Sequence, residues 1–324
     1  MKPIRWGILG TAKIAVEKVV PALQASTYGQ VLGMASRRPD RLAEIVRRLE
    51  IPRTYPSYDA LLEDPHIDAV YIPLPNHLHV PWSIRALEHG KHVLCEKPIG
   101  CSVAEAESLQ HAARRFPKLK LMEGFMYRHH PQWQKAAELV RTGQLGDLTA
   151  IQTFFSFYND DPHNIRHRPE WGGGALMDIG CYPISLSRWL FDEEPVRVRG
   201  HLRIDPRFQV DRTVSGILEF SGGRCSTFIA SMESTPYQRV QIVGDDGRVE
   251  IEIPFNAPPD RPCRLWFEPG GKTCQEFRFP VCDQYTIQGD LFALAVLEDR
   301  PVPTPIDDAV ANMRVIEALV ETTR

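Results

Sequence analysis

At 324 residues the chain is too long for one ordinary core and points to two domains. Hydrophobic content of 43% with 24% charged residues is that of a soluble globular protein. A net charge of −3 and a pI near 6.4 argue against nucleic acid or an anionic membrane as the main partner, and no run of ~18 apolar residues offers a membrane span.

The chain enters a strand-like stretch at residues 4–9, which leaves no room for a signal peptide. Residues 12–23 follow with helical spacing (Ile14, Val19, Val20, Leu23), then a strand at 30–35 and a helix at 40–49. Short buried strands are expected at 69–72 and 92–95, with a helix at 80–88 between them. Ser102 and Glu105 form a capping-box pattern at the head of another helix, and a strand at 119–123 closes the series. This alternation predicts an α/β architecture built on a doubly wound parallel sheet over residues 1–124.

In such a sheet, ligands bind at the carboxyl ends of the strands, and four loops there stand out. The first turn reads Gly10-Thr11-Ala12-Lys13-Ile14-Ala15, with Ala12 and Ala15 in place of the second and third glycines of a dinucleotide fingerprint. Its helix N-terminus would offer N–H groups to a pyrophosphate. Where an acidic residue would grip a ribose hydroxyl, the chain has Ser36-Arg37-Arg38, which suits a 2′-phosphate and favours NADP over NAD. The loop containing Leu74, Pro75, Asn76 and His79 is placed to pack on the nicotinamide side. His77 and His79 lack Cys or carboxylate company, so no metal site is expected. Glu96-Lys97-Pro98 ends the strand at 92–95. There Lys97 can hold a phosphate as a point charge or act on a proton, unless the pair merely caps the strand.

From residue 125 onward the pattern changes. A helix to Arg141 starts near Pro131, a strand-rich region begins at 149–157, and residues 158–174 form a long polar, aromatic and glycine-rich loop. Asp178 and Tyr182 are four apart, one turn on one helix face, although Pro183 suggests that Asp178 lies just before the helix. The glycines at 172–174 are read as letting the backbone pass close to a ligand. Strands are expected at 196–204, 210–220, 224–232, 239–243, 249–253, 265–268 and 275–279, mostly antiparallel, followed by helices at 287–297 and 307–319. Seven cysteines, odd in number and without a C-x-x-C pair, argue for a reducing, cytoplasmic setting.

The Gly10–Ala15 turn, Pro75-Asn76-His77-Leu78-His79, Glu96-Lys97-Pro98 and the Gly172–Tyr182 stretch occur in an order and spacing that resembles the glucose–fructose oxidoreductase / inositol dehydrogenase (GFO/IDH/MocA) family over the full length. The resemblance implies a Rossmann domain at 1–124 and, at 125–324, a substrate-binding and dimerisation domain on a large open, mostly antiparallel sheet. It also implies a nicotinamide cofactor and sugar or polyol substrates. Many members carry histidine at the last motif position. Tyr182 instead resembles the branch holding NADP-dependent D-xylose dehydrogenase and dihydrodiol dehydrogenase. The resemblance implies that Tyr127 and Arg128 face the cofactor and substrate, the alternative being that they stitch the two domains together, and it implies a homodimer or higher homo-oligomer through the C-terminal sheet. In the loop at 158–174, Arg166, Arg168 and Trp171 are read as cover for the nicotinamide or the sugar ring, since a flat apolar ring face suits an indole.

Oxidation of a carbinol needs a proton acceptor as the hydride leaves. Tyr182 is assigned that exchange, with Lys97 orienting the hydroxyl and lowering the phenol's pKa, and Asp178 positioning a neighbouring hydroxyl or Lys97. The roles of Lys97 and Tyr182 are interchangeable at this level. An oxidoreductase that retains NADP between two sugars, a dihydrodiol dehydrogenase and a non-catalytic NADP-binding sensor remain as rivals.

Overall fold

The computed structural model describes residues 2–322, and their internal contacts separate the chain into two units: Met1–Met126 with Tyr285–Val310, and Tyr127–Gln284 with Ala311–Arg324. A division at 124/125 places everything after it in the second domain, whereas the structure groups Tyr285–Val310 with the first unit.

The first unit is built on a six-stranded sheet. Its strands are β1 (Ile4–Leu9), β2 (Gly29–Ala35), β3 (Arg53–Tyr55), β4 (Ala69–Ile72), β5 (His92–Cys95) and β6 (Leu121–Glu123), in the order β3-β2-β1-β4-β5-β6. All pair in parallel. Val93, Leu94 and Cys95 are fully buried, as strands covered on both faces must be. The order reverses between β1 and β4, so the loops after these two strands border the switch point where open α/β sheets take ligands.

The helix expected at 12–23 opens with a wide turn at Ala15–Val19, in which Val20 N–H reaches back to Ala15 O, and continues as α1 (Val20–Gln24). Pro21 has no N–H to give to a regular turn, and the wide turn ends where it begins. Further helices are α2 (Pro39–Arg48), α3 (Tyr58–Leu62), α4 (His79–Glu88) and α5 (Val103–Arg114). The capping box at α5 is displaced by one residue. Ser102 Oγ accepts Glu105 N–H at 3.2 Å, but the Glu105 carboxylate accepts from Cys101 N–H at 2.8 Å. Strand β3 and helix α3 escaped the periodicity reading, since β3 is a three-residue stretch of mostly exposed polar residues and α3 is a single capped turn.

Helix α8 (Gln284–Leu297) supplies the returning segment. Its apolar circumference suits a helix with no solvent face to spare. Phe292 lies 5.2 Å from the Trp6 ring, and Gly289 permits close approach, because a Cβ there would stand 2.5 Å from Leu23 Cδ2. Both Trp6 and Phe292 are fully buried.

The second unit carries α6 (Pro131–Arg141), α7 (Cys181–Phe191) and eight strands. These are β7 (Leu148–Tyr158), β8 (Arg197–Ile204), β9 (Asp211–Glu219), β10 (Cys225–Ser231), β11 (Glu233–Gly244), β12 (Gly247–Ile251), β13 (Cys263–Pro269) and β14 (Gln275–Phe279). Their order is β14-β13-β12-β11-β7-β10-β9-β8, antiparallel throughout except for β7 with β10. β11 is longer than the expected 239–243. Its first half is polar, and a register shift spans Pro236, which cannot donate to a ladder. One sheet face packs on helices: Phe155 meets the Tyr182 ring at 5.6 Å, and Gly200 admits Leu319 from the end of α9 (Ile306–Glu321). The other face is open. Two cross-strand rows, Arg199–Ile217–Thr227–Gln152–Gln241 and His201–Ser215–Ile229–Phe154–Arg239, line a shallow depression of about 650 Å³ on it.

Candidate active site

The first unit gathers fourteen of the sequence candidates on the carboxyl side of its sheet. Gly10 follows β1 at φ +108°, and its N–H donates to Ala35 O at the end of β2 (2.8 Å). A Cβ at Gly10 would stand 3.0 Å from Leu74 Cδ2 and 3.5 Å from the Tyr58 hydroxyl, so the turn is a cradle that only glycine leaves open. Thr11 and Ser36 are buried with their hydroxyls 3.4 Å apart, and Ser36 Oγ accepts Arg38 N–H at 3.2 Å. Arg37 and Arg38 are exposed and lie close enough to Tyr58 to oppose the upward push that burial gives its phenol. Ala12 and Ile14 are half-buried in the turn, while the Lys13 side chain turns to solvent beside Glu17 at 3.8 Å. A pyrophosphate with a 2′-phosphorylated ribose fits this donor set: a glycine cradle, a helix start, a hydroxyl and two guanidinium groups.

Glu96 and Lys97 are half-buried at the end of β5, and the Lys97–Pro98 bond is cis. The Tyr71 hydroxyl donates to Glu96 Oε1 at 2.6 Å. Tyr71 is fully buried, and burial together with the Glu96 charge holds its phenol well above its usual range, so it stays a donor. Asn76 opens the short turn Asn76–Leu78 after Pro75.

His79, expected from the sequence as a cofactor contact, is 1% exposed, with Nδ1 2.7 Å from Pro98 O and Nε2 2.7 Å from Leu74 O. Its ring sits between the Leu74 loop and the Lys97–Pro98 turn, and the neutral imidazole donates to one of the two carbonyls.

Burial pushes the His79 imidazole down to about 4, with the two carbonyls opposing and Lys97 adding to the fall. Burial likewise pushes His92, His129 and His130 down to about 4. Such histidines stay neutral in the folded chain, while unfolded ones bind protons below their ordinary 6.5. Stability present at pH 7 should therefore fall as pH drops from about 6.5 toward 4. Asp211, raised to about 6, acts in the opposite sense but stands alone against four groups. Urea midpoints at pH 7 and pH 5 check this: the lower midpoint belongs at pH 5, and an equal or higher one there contradicts the assignment.

The second unit gathers the remaining candidates around the start of α7. Asp178 does not precede the helix. It sits inside a wide turn, Leu176–Gly180, that runs directly into α7, two residues before Pro183. The wide turn absorbs the proline's missing N–H, and the Cys181 thiol lies 3.6 Å from Asp178 O.

The reading of the glycine run also changes. Gly173 N–H donates to Arg168 O and Gly174 N–H to Arg166 O, both at 3.0 Å, and a Cβ at Gly173 would stand 2.5 Å from Arg166 O. These glycines let the chain press on its own loop. That contact delivers Arg166 to Asp178, with Nε 2.6 Å from Oδ2. The Asp178 charge raises the Arg166 pKa most, and Tyr182 lies near enough to contribute. Tyr182 is 4% exposed, with its ring 5.7 Å from Tyr127, 5.6 Å from Phe155 and 5.1 Å from Phe255.

Arg128, expected on the cofactor, sends its guanidinium to Ser185 on α7, with contacts of 2.7 and 3.2 Å to Oγ and 3.0 Å to O. In this position it fastens the start of α6 to α7. Trp171 lies at the surface, 36% exposed, one residue before the left-handed Gly172. Sequence reasoning missed the pairing of Arg166 with Asp178 and the role of Tyr71, since neither partner is near the other in the chain.

Among the described residues no cluster of three or more His, Cys, Asp or Glu could hold a metal ion, and no helix is long and apolar enough to cross a membrane. All seven cysteines are free thiols.

Comparison with known proteins assigns both halves. Residues 4–125 match the model of an oxidoreductase family with an NAD-binding Rossmann fold, and residues 133–250 match the GFO/IDH/MocA C-terminal domain. The chain is 39% identical over 320 residues to D-xylose 1-dehydrogenase (NADP(+)) 2 of Haloferax volcanii, covering 98% of this chain and 96% of that one. It is 33% identical to KijD10, a 3-ketoreductase from Actinomadura kijaniata solved with NADP and TDP-benzene, at TM-score 0.92 over 100% of this chain and 98% of that chain. Aldose-aldose oxidoreductase from Caulobacter crescentus, solved with glycerol, is 29% identical at TM-score 0.91 over 100% and 98%. The expected nicotinamide cofactor and the expected fold agree with these findings. The chain is an oxidoreductase of the GFO/IDH/MocA family.

Proposed function

We propose that the protein moves a hydride between NADP and the carbinol of a sugar or polyol, with D-xylose-type aldoses oxidised at C1 as the favoured substrates. The observation that carries this reading is the joining of Asp178, Arg166 and Tyr182 at one helix start, since it combines a carboxylate, a guanidinium and a buried phenol. The NADP named for the Haloferax and Actinomadura relatives supports the cofactor. The Gly10–Ile14 turn, Ser36, Arg37 and Arg38 would hold its phosphates. Leu74, Pro75, Asn76, Glu96 and Lys97 would lie toward the nicotinamide, with Trp171 covering it.

When bound, the nicotinamide supplies the hydride acceptor. The chain's own groups manage the proton. Tyr182 takes it from the reacting hydroxyl, and a neighbouring cation makes that possible near neutral pH by favouring the phenolate. Arg166, tied to the helix start through Asp178, is one such cation, and orienting the hydroxyl is the role proposed for Lys97. Asp178 holds Arg166 in place and positions an adjacent hydroxyl.

Nicotinamide absorbance followed with NADP against free aldoses, polyols, dTDP-sugars and dihydrodiols tests the substrate class. Turnover is expected with aldoses. Turnover confined to dTDP-sugars would move the assignment toward the 3-ketoreductase named for the Actinomadura structure. A second reading, hydride shuttling between two aldoses with NADP retained, is favoured by the Caulobacter likeness, and co-purified nucleotide that exchanges slowly would select it. A homodimer through the open sheet face is part of the proposal. Ile217 and Ile229 are 44% and 39% exposed there, which is apolar surface suited to a second copy. We also place the protein in a reducing, cytoplasmic setting, consistent with its free cysteines.

A further inference from the structure

The helix that carries Asp178 and Tyr182 begins at Gly174, whose carbonyl accepts the Asp178 N–H at 3.1 Å. That position ordinarily holds a side-chain oxygen to satisfy the unpaired amides of the first turn. Glycine has no such oxygen. The acceptor arrives from another element instead. Asp211, the first residue of β9, places Oδ2 2.6 Å from Leu176 N, and the Ala175 amide lies near enough to favour its charge.

The fit is mutual. Gly174 has φ +110°, and a Cβ on it would stand 2.0 Å from Asp211 Oδ1. Each residue therefore specifies the other: any larger residue at 174 would expel the carboxylate, and without the carboxylate the first amides lose their acceptor. Asp211 is 8% exposed, so water is a poor substitute. The same strand meets the helix again one turn later, where a Cβ at Gly180 would stand 3.4 Å from Val214 Cγ1. Strand β9 thus grips the wide turn Leu176–Gly180 at both ends.

We propose that Asp211 is a positioning residue for the reaction: it caps, from β9, the helix that presents Asp178 and Tyr182 and so sets where the phenol stands. This rests on the proton role given to Tyr182 above. A carboxylate at a helix N-terminus complements the positive end of the helix dipole. A displacement of about 1 Å in a reacting group can lower rate ~100-fold without touching the chemistry.

The test compares Asp211→Ala, which removes the acceptor, with Asp211→Asn, which keeps one. Three quantities are read: kcat, the dissociation constant for NADP by fluorescence titration, and amide hydrogen exchange over residues 174–182. Asp211→Ala should lower kcat by roughly 10- to 100-fold, leave NADP affinity within about twofold, and speed exchange over 174–182 while β1 to β6 stay protected. Asp211→Asn should recover most of the rate. If Asp211→Ala does not fold, Gly174→Ala carries the same comparison, because its Cβ displaces the carboxylate.

Wild-type kcat in Asp211→Ala would overturn the proposal. So would an Asn variant as impaired as the Ala variant, or faster exchange spread evenly through both units, which marks general destabilisation. Failure of the Tyr182 role looks different: Tyr182→Phe would then turn over normally while Asp211→Ala still speeds exchange over 174–182. That result leaves the cap as structure alone and removes its part in the reaction.

Discussion

Tyr182→Phe should lower turnover by roughly 10²- to 10⁴-fold, the range for losing a general acid–base group, while NADP binding stays at the wild-type level. The substitution deletes one oxygen and keeps the ring that packs against Tyr127, Phe155 and Phe255. The ring packing is therefore kept, and thermal midpoints should agree within a few degrees. The loss should appear in single-turnover hydride transfer, before product release can mask it. Lys97→Ala should fall with it. If the two groups act on one hydroxyl, the double variant should lose little more than the worse single variant, because groups that act as a unit are not additive. Near-wild-type rates for Tyr182→Phe across pH would assign the proton to another group, with Lys97 the first to test.

Replacing Arg37 and Arg38 together by alanine should weaken NADP binding by about 100-fold or more and change NAD binding little. Each charge-assisted hydrogen bond to a phosphate contributes on the order of 1.5–3 kcal/mol, and only NADP carries the 2′-phosphate. Both side chains are exposed, so the effect should shrink as salt rises and the charges are screened. Ser36 is a different matter. It is buried against Thr11 and accepts the Arg38 amide, so Ser36→Ala should disturb the turn for both cofactors. Isothermal titration with NADP and NAD at low and high salt measures all of this. An unchanged preference in the double variant would contradict the NADP reading of this loop.

The first unit was largely legible because its signals are local. Strands such as 92–95 are buried on both faces and announce themselves as apolar runs, and Ser102 with Glu105 marks a helix start within four residues. Gly10 was readable as a turn glycine because it opens a degenerate dinucleotide fingerprint between the first strand and a helix. What escaped was tertiary. Nothing in the pattern of residues 284–297 says which sheet the helix covers; the fit of Gly289 against Leu23 and of Phe292 against Trp6 decides it. The tyrosine at 182 and the aspartate at 178 could be read from helical spacing, but not the wide turn between them. The glycine run signals close approach and nothing more, and the structure shows the chain's own loop approaching it. His79 and Arg128 were polar residues in the right places whose donors serve packing: one between two loops, the other between two helices. Asp211 had no local signal at all, because its partners lie 35 residues away.

Hydride transfer between a sugar carbinol and NADP, as proposed here, is tested most directly with D-xylose deuterated at C1 in a single turnover with NADP, reading the isotope in the reduced nicotinamide. Deuterium should appear in NADPH with a slowed chemical step, and Tyr182→Phe should suppress its appearance. Tight NADP binding with no isotope transferred from D-xylose or from any other labelled aldose, polyol, dTDP-sugar or dihydrodiol would contradict it and return the chain to a cofactor-binding role without turnover.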